Sequence, residues 1–183
     1  MKKIIMILFL TFIAFGLVAC GDEPETKEYT VSYINEHLDG SRYQKLEYTK
    51  QITLESVLLL EVKYTSELNG SEFVNKTVTK KLADITSNEE YEEVTEETMS
   101  KTIEDPITLN LDETYFESVI ITEKSFFGKV NSEKVEEVIG IKNAGSVEIR
   151  IELTDDLKVN TIEIKYTDLG SGYLVTMKSK YTF

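Results

Sequence analysis

The chain has 183 residues, with 33 aspartates and glutamates against 20 lysines and arginines, a formal charge of −13. So acidic a chain offers no phosphate-neutralising patch, which argues against nucleic acid as a partner, and anionic lipid headgroups repel it. Its single cysteine excludes an intrachain disulfide or a cysteine metal cluster, so the fold must rest on its own apolar core.

The chain opens MKKIIMILFLTFIAFGLVACGD. Lys2 and Lys3 precede an apolar run from Ile4 to Ala19 broken only by Thr11, the pattern of a secretory signal. A helix of that length reaches about 24 Å, short of the roughly 30 Å hydrocarbon core, which disfavours a permanent span. The run ends in Leu17-Val18-Ala19-Cys20 with Gly21 next, and this resembles the lipobox of bacterial lipoproteins. The resemblance implies diacylglyceryl transfer to the Cys20 thiol, cleavage before it and a new N-terminus at Cys20. Cys20 is then the lipid-attachment site, and the protein is extracytoplasmic, with the bacterial cell membrane as its partner through that anchor. Two or more acyl chains anchor stably where one is marginal. On this reading residues 1–19 are the leader, 20–28 are the lipidated cysteine and a short tether, and 29–183 form a single β-rich domain. Loss of Lys2 and Lys3 takes the charge from −13 to −15. The tether sequence GDEPETKE reaches at most about 28 Å, which keeps the domain close to the bilayer.

In residues 29–39, YTVSYINEHLD, Tyr29, Val31 and Tyr33 alternate as in a strand, whereas Val31, Ile34 and Leu38 have helical spacing ahead of Gly40. The second pattern predicts a short helix. From Ile52 through Leu54, Ser56, Leu58, Leu60 and Val62 to Tyr64 the period is two, which predicts one long strand. Asn69-Gly70 signals a hairpin. A two-residue loop would pair Val62 with Thr77 and waste the apolar face; a three-residue loop, Asn69-Gly70-Ser71, pairs Val62 with Val78 and Leu58 with Leu82, and is the expected register.

Residues 87–101, SNEEYEEVTEETMSK, carry capping-box spacing at Ser87 and Glu90 and a thin stripe of Tyr91, Val94, Thr98 and Met99. With acidic residues first and Lys101 last, the segment predicts a helix. Pro106 resets the chain before a short strand at Ile107, Leu109 and Leu111, and residues 116–124 form another. Ser125-Phe126-Phe127-Gly128 reads as a turn and 131–139 as a short helix stopped by Gly140. The last 37 residues form a three-stranded meander. Val147, Ile149, Ile151 and Leu153 share one face with Ile162, Ile164 and Tyr166, and with Tyr173, Val175, Met177, Tyr181 and Phe183. Pairing Ile149 with Ile164 sets Glu148 against Lys165 and Arg150 against Glu163. The expected fold class is mainly β (α+β): an antiparallel, curved sheet of about seven strands with two or three short helices packed on one face.

Chemistry is sparse. His37 is the single histidine, and no Gly-x-Ser-x-Gly elbow, phosphate loop or Asp-x-Asp-x-Asp-Gly calcium loop accompanies it. Glu89, Glu90, Glu92, Glu93, Glu96 and Glu97 read as a solvated face, and Asp155-Asp156 likewise. No catalytic residue, metal or cofactor is expected, and the protein reads as a non-enzyme. Ten tyrosines and eight phenylalanines occur without tryptophan. Tyr64, Tyr166, Tyr173, Met177 and Tyr181 fall on predicted apolar faces, where their ordinary role is core and their functional role would be to line a concave sheet around an apolar ligand. The strand pattern over residues 41–183, together with the anchor, resembles the half-barrel of Lol-type carriers and related lipid-binding lipoproteins. That resemblance implies a hydrophobic cavity and a lipid or lipoprotein ligand. The other reading is an envelope interaction, adhesion or structural lipoprotein with a solid core. What separates them is whether the protein's own helices fill the apolar face.

Overall fold

A computed structural model of the chain describes residues 28–38, 43–82, 91–101 and 105–183. The apolar leader, Cys20 and the tether up to residue 27 lie outside the described residues, as do Ser87, Glu89 and Glu90. Among the described residues nine antiparallel strands form one open sheet: β1 (Lys45–Leu54), β2 (Val57–Asn69), β3 (Glu72–Leu82), β4 (Tyr91–Ser100), β5 (Phe116–Ile121), β6 (Ser125–Val130), β7 (Ala144–Leu153), β8 (Val159–Asp168) and β9 (Leu174–Thr182). Their order is β4-β3-β2-β1-β9-β8-β7-β6-β5. The chain meanders outward from β1 to one edge at β4. It re-enters at the opposite edge, β5, and meanders back until β9 seats against β1 at the centre.

The core follows from the period-two patterns. Ile149 and Ile151 of β7 stand opposite Ile164 and Ile162 of β8, Ile164 stands opposite Met177 of β9, and Tyr181 opposite Leu46 of β1. These side chains share one face of the sheet and are buried with Phe126, Val130 and Val147. Two short helices, α1 (Val31–Leu38) and α2 (Val135–Ile139), contribute Val31, Ile34, Val135, Val138 and Ile139 to the same cluster, and the crossover adds Ile107 and Leu111. Thr30 caps α1, its Oγ1 accepting the Tyr33 N–H at 3.3 Å. Gly140 ends α2 at φ +71°, its N–H donating to the Glu136 carbonyl.

The expected short helix at 29–39, the helix before Gly140 and the C-terminal meander with its Ile149–Ile164 register are all present. Five expectations about elements are corrected, and with them the strand count. The 52–64 run is two strands joined at Glu55-Ser56, both at positive φ (47° and 73°), with a bulge beside Ile52. The two-residue turn and the one extra residue of the bulge, Leu59, together insert three residues, so Ile52 faces Leu60 eight positions on and, beyond the bulge, the even-numbered positions of both strands share a face. The next hairpin turns at Gly70-Ser71, with Gly70 at φ +66°, setting Val62 opposite Thr79 and Leu60 opposite Lys81. This is one residue away from the expected register, and it places Glu61 opposite Lys80.

The acidic segment expected as a helix is strand β4. Its glutamates meet the lysines of β3: Glu93 stands opposite Lys80, with a 3.0 Å ion pair, Glu92 opposite Lys81 and Glu97 opposite Lys76. Cross-strand charge pairing outweighs the helix propensity of glutamate. Ile107, Leu109 and Leu111 alternate as expected but join no ladder, because this stretch crosses the sheet face instead of extending it. Ser125–Gly128 is part of β6 and not a turn, and it buries Phe126 completely. Nine strands rather than seven result.

Candidate functional site

Two regions stand out from the packed core. The first is built around Asp105, the residue before Pro106. Asp105 Oδ1 accepts the Ile107 N–H at 2.9 Å, while Oδ2 accepts the Tyr181 hydroxyl at 2.7 Å and the Tyr43 hydroxyl at 3.2 Å. The Tyr43 and Tyr181 rings lie 4.7 Å apart. A carboxylate holding three donors pins the crossover to β9, the centre of the sheet. Burial, then the Asp105 charge, push the Tyr43 phenol up to about 12 and raise that of Tyr181 as well. Beside this latch lies a cleft of about 220 Å³ lined by Leu38, Ile107, Leu109, Val159 and Ile162 among others. The Asp-Pro pair ahead of an alternating apolar run was the available sequence signal for Asp105, since an aspartate often bonds the N–H two residues on.

The second region is the arm made by β2, β3 and β4. Among the described residues the core cluster contains none of β3 or β4. Every residue from Glu92 to Met99 is exposed, including Val94 at 50% and Met99 at 67%. At the arm's tip Met99 stands opposite Val74, and Leu68 opposite Phe73. A groove of about 420 Å³ crosses the arm there, lined by Leu68, Val74, Lys76 and Glu97 together with Thr65, Glu67 and Asn69.

The five proposed ligand-binding residues do not converge on one cavity. Tyr166 and Met177 are buried core side chains, and Tyr181 is the one of the five that lines the Asp105 cleft. Tyr64 lies opposite Tyr48 and donates to Asn75 Oδ1 at 3.1 Å. Tyr173 is half-buried in the β8–β9 turn, its N–H donating to Ser171 Oγ at 3.3 Å. Cys20 lies outside the described residues. His37 packs on Tyr33, ring centroids 4.6 Å apart, with Nδ1 2.7 Å from the Tyr33 carbonyl oxygen. Asp155 pairs with Lys124 at 2.6 Å, which holds its carboxyl below the usual range. Among the described residues no group of three or more histidines, cysteines and carboxylates could hold a metal, and no helix is long and apolar enough to cross a membrane.

No family model and no curated protein matches the chain. Among solved structures it is similar to an isomerase-inactive variant of GphF DH1, at 10% identity over 84% of this chain and 80% of that one, with a TM-score of 0.22. A superposition that loose carries no argument about fold or activity.

Proposed function

We propose that this protein is a lipid-anchored, extracytoplasmic, non-enzymatic lipoprotein that docks another envelope protein on its β2–β4 arm. The observation that supports this most is the division of the sheet. One half is a filled core under α1, α2 and the crossover, and the other presents a long exposed arm with an apolar tip. An arm whose strands β3 and β4 contribute no described side chain to the core cluster, and which displays Leu68, Val94 and Met99, is the kind of surface that marks a protein contact. The Cys20 lipid would hold the domain near the bilayer, where such a partner would be met.

The test is site-specific photocrosslinking in intact cells. A photoreactive side chain at Val94 or Met99 is expected to give a discrete adduct in the membrane fraction, and one at Lys165, on the outer face of β8, is expected to give none. Equal labelling at all three positions would count against the arm.

A second reading rests on the Asp105 cleft, which is apolar on several sides and carries the hydroxyls of Tyr43, Thr108 and Tyr181. At about 220 Å³ it lies below the range of roughly 300–1,000 Å³ usual for small-molecule sites, so it suits part of an acyl chain better than a whole lipid. Mass spectrometry of organic extracts from natively purified protein checks it. A stoichiometric lipid that disappears with Ile162→Phe, which fills the cleft, would favour the ligand reading over the docking one.

A further inference from the structure

We infer that β4 is an acceptor edge for strand addition, and that its occupant is an extended segment of another protein carrying lysine or arginine among β-branched residues. This rests on the docking role of the arm and names the partner's chemistry.

The two edges of the sheet are built differently. β5 is six residues long and its pairing with β6 is interrupted between Phe116 and Ser118, a bulged and shortened edge of the protected kind. β4 runs for ten residues in unbroken register with β3, and among the described residues β3 is its one ladder partner. Over its exposed residues 92–99 such an edge offers a row of backbone donors and acceptors to an incoming strand. No described side chain of β4 belongs to the core cluster, and residues 92–99 are exposed, so packing does not explain that stretch of the strand.

Charge selects the occupant. On its inner side β4 already pairs with the Lys76-Thr77-Val78-Thr79-Lys80-Lys81 stretch of β3, bringing Glu97, Glu93 and Glu92 opposite lysines. The glutamates at 92, 93, 96 and 97 fall as two adjacent pairs, so each face of the strand carries two of them. A second strand of the β3 type, laid on the free edge, would meet the same carboxylates. A second copy of β4 would bring two sets of four carboxylates side by side, which disfavours self-pairing. The groove beside Leu68, Val74 and Glu97 then lies where an alternate side chain of the incoming strand can extend across the arm's face.

The probe is a synthetic ten-residue peptide with the sequence of residues 73–82, titrated by fluorescence anisotropy into the full chain in lipid nanodiscs. Two control peptides accompany it: one with every lysine replaced by glutamate, and one N-methylated at alternate residues. The expected result is binding of the basic peptide with slowed hydrogen exchange in residues 91–100. The N-methylated peptide should fail, and Glu92→Gln with Glu96→Gln should weaken binding by about tenfold. Binding of both basic peptides alike, without protection of β4, would mean charge attraction alone and overturn strand addition. Concentration-dependent dimers protected at β4 would make the occupant a second copy and overturn the basic-partner assignment. Absence of binding would overturn it too. If Met99 still gave its adduct in cells, the arm would remain the docking surface by another mode; loss of that adduct as well would remove the docking function itself.

Discussion

At the scale of single residues, two positions carry more than their size suggests. Gly128 in β6 has no space for a methyl group: a Cβ there would stand 2.6 Å from the Phe126 ring and 2.7 Å from that of Phe116. Those rings meet edge to face with centroids 5.3 Å apart, and Phe126 is fully buried, so neither can retreat freely. Gly128→Ala is therefore expected to cost about 1–3 kcal/mol, read as a lower urea midpoint with an unchanged slope. The tyrosines around Asp105 give a pH signature. The Tyr43 and Tyr48 phenols rise from 10.0 to about 12 on folding, so the native state keeps protons that the unfolded chain releases above pH 10. Their contribution to stability is complete below pH 10 and is lost as pH rises through about 12. Urea midpoints measured across that window should fall steadily. Tyr43→Phe should flatten the fall by about one proton's worth of slope.

At the scale of elements, the Glu55-Ser56 turn shows how a local cost is tolerated. Both residues sit at positive φ, the geometry that asparagine and glycine adopt most easily. Replacing them together, Glu55→Asn with Ser56→Gly, should stabilise the protein by about 1 kcal/mol, seen as a higher melting temperature. The same turn explains why part of the fold could be read from the residues and part could not. In β7, β8 and β9 each strand has one buried face, and the outward charges Glu148, Arg150, Glu163 and Lys165 agree with the apolar register. In β3 only Asn75 and Leu82 are buried and in β4 residues 92–99 are exposed, so the apolar pattern is weak and pairing follows charge between strands distant from any local rule. Glutamate-rich residues 91–100 look helical by themselves and become a strand because lysines lie opposite. The Asp105-Pro106 pair marks only the local bond to the Ile107 N–H; its partners Tyr43 and Tyr181 are 62 and 76 residues away, beyond any local pattern.

At the scale of the whole molecule, the sheet should not open evenly. Hydrogen exchange is expected to be slowest in β7, β8 and β9, which run through the buried cluster, and at least about tenfold faster in β4, whose residues 92–99 are exposed. Comparable protection in all four strands would show that the arm is held by something other than its ladder. The anchor gives the other whole-molecule test. Cys20→Ser should move the protein from the membrane to the soluble or secreted fraction, followed by fractionation and immunoblotting; retention would mean that the apolar run from Ile4 to Ala19 holds the membrane by itself.

The first strand of the sheet pairs with the last: Lys45 stands opposite Thr182, and the Gln44 N–H donates to the Thr182 carbonyl at 2.8 Å. A chain emerging from its amino end can zip β1 to β4 early and β5 to β8 later, yet the seam between these halves waits for β9. Loss of β9 would therefore open the middle of the sheet and leave its margins paired, so the joining of the two halves rests on the strand made after the other eight.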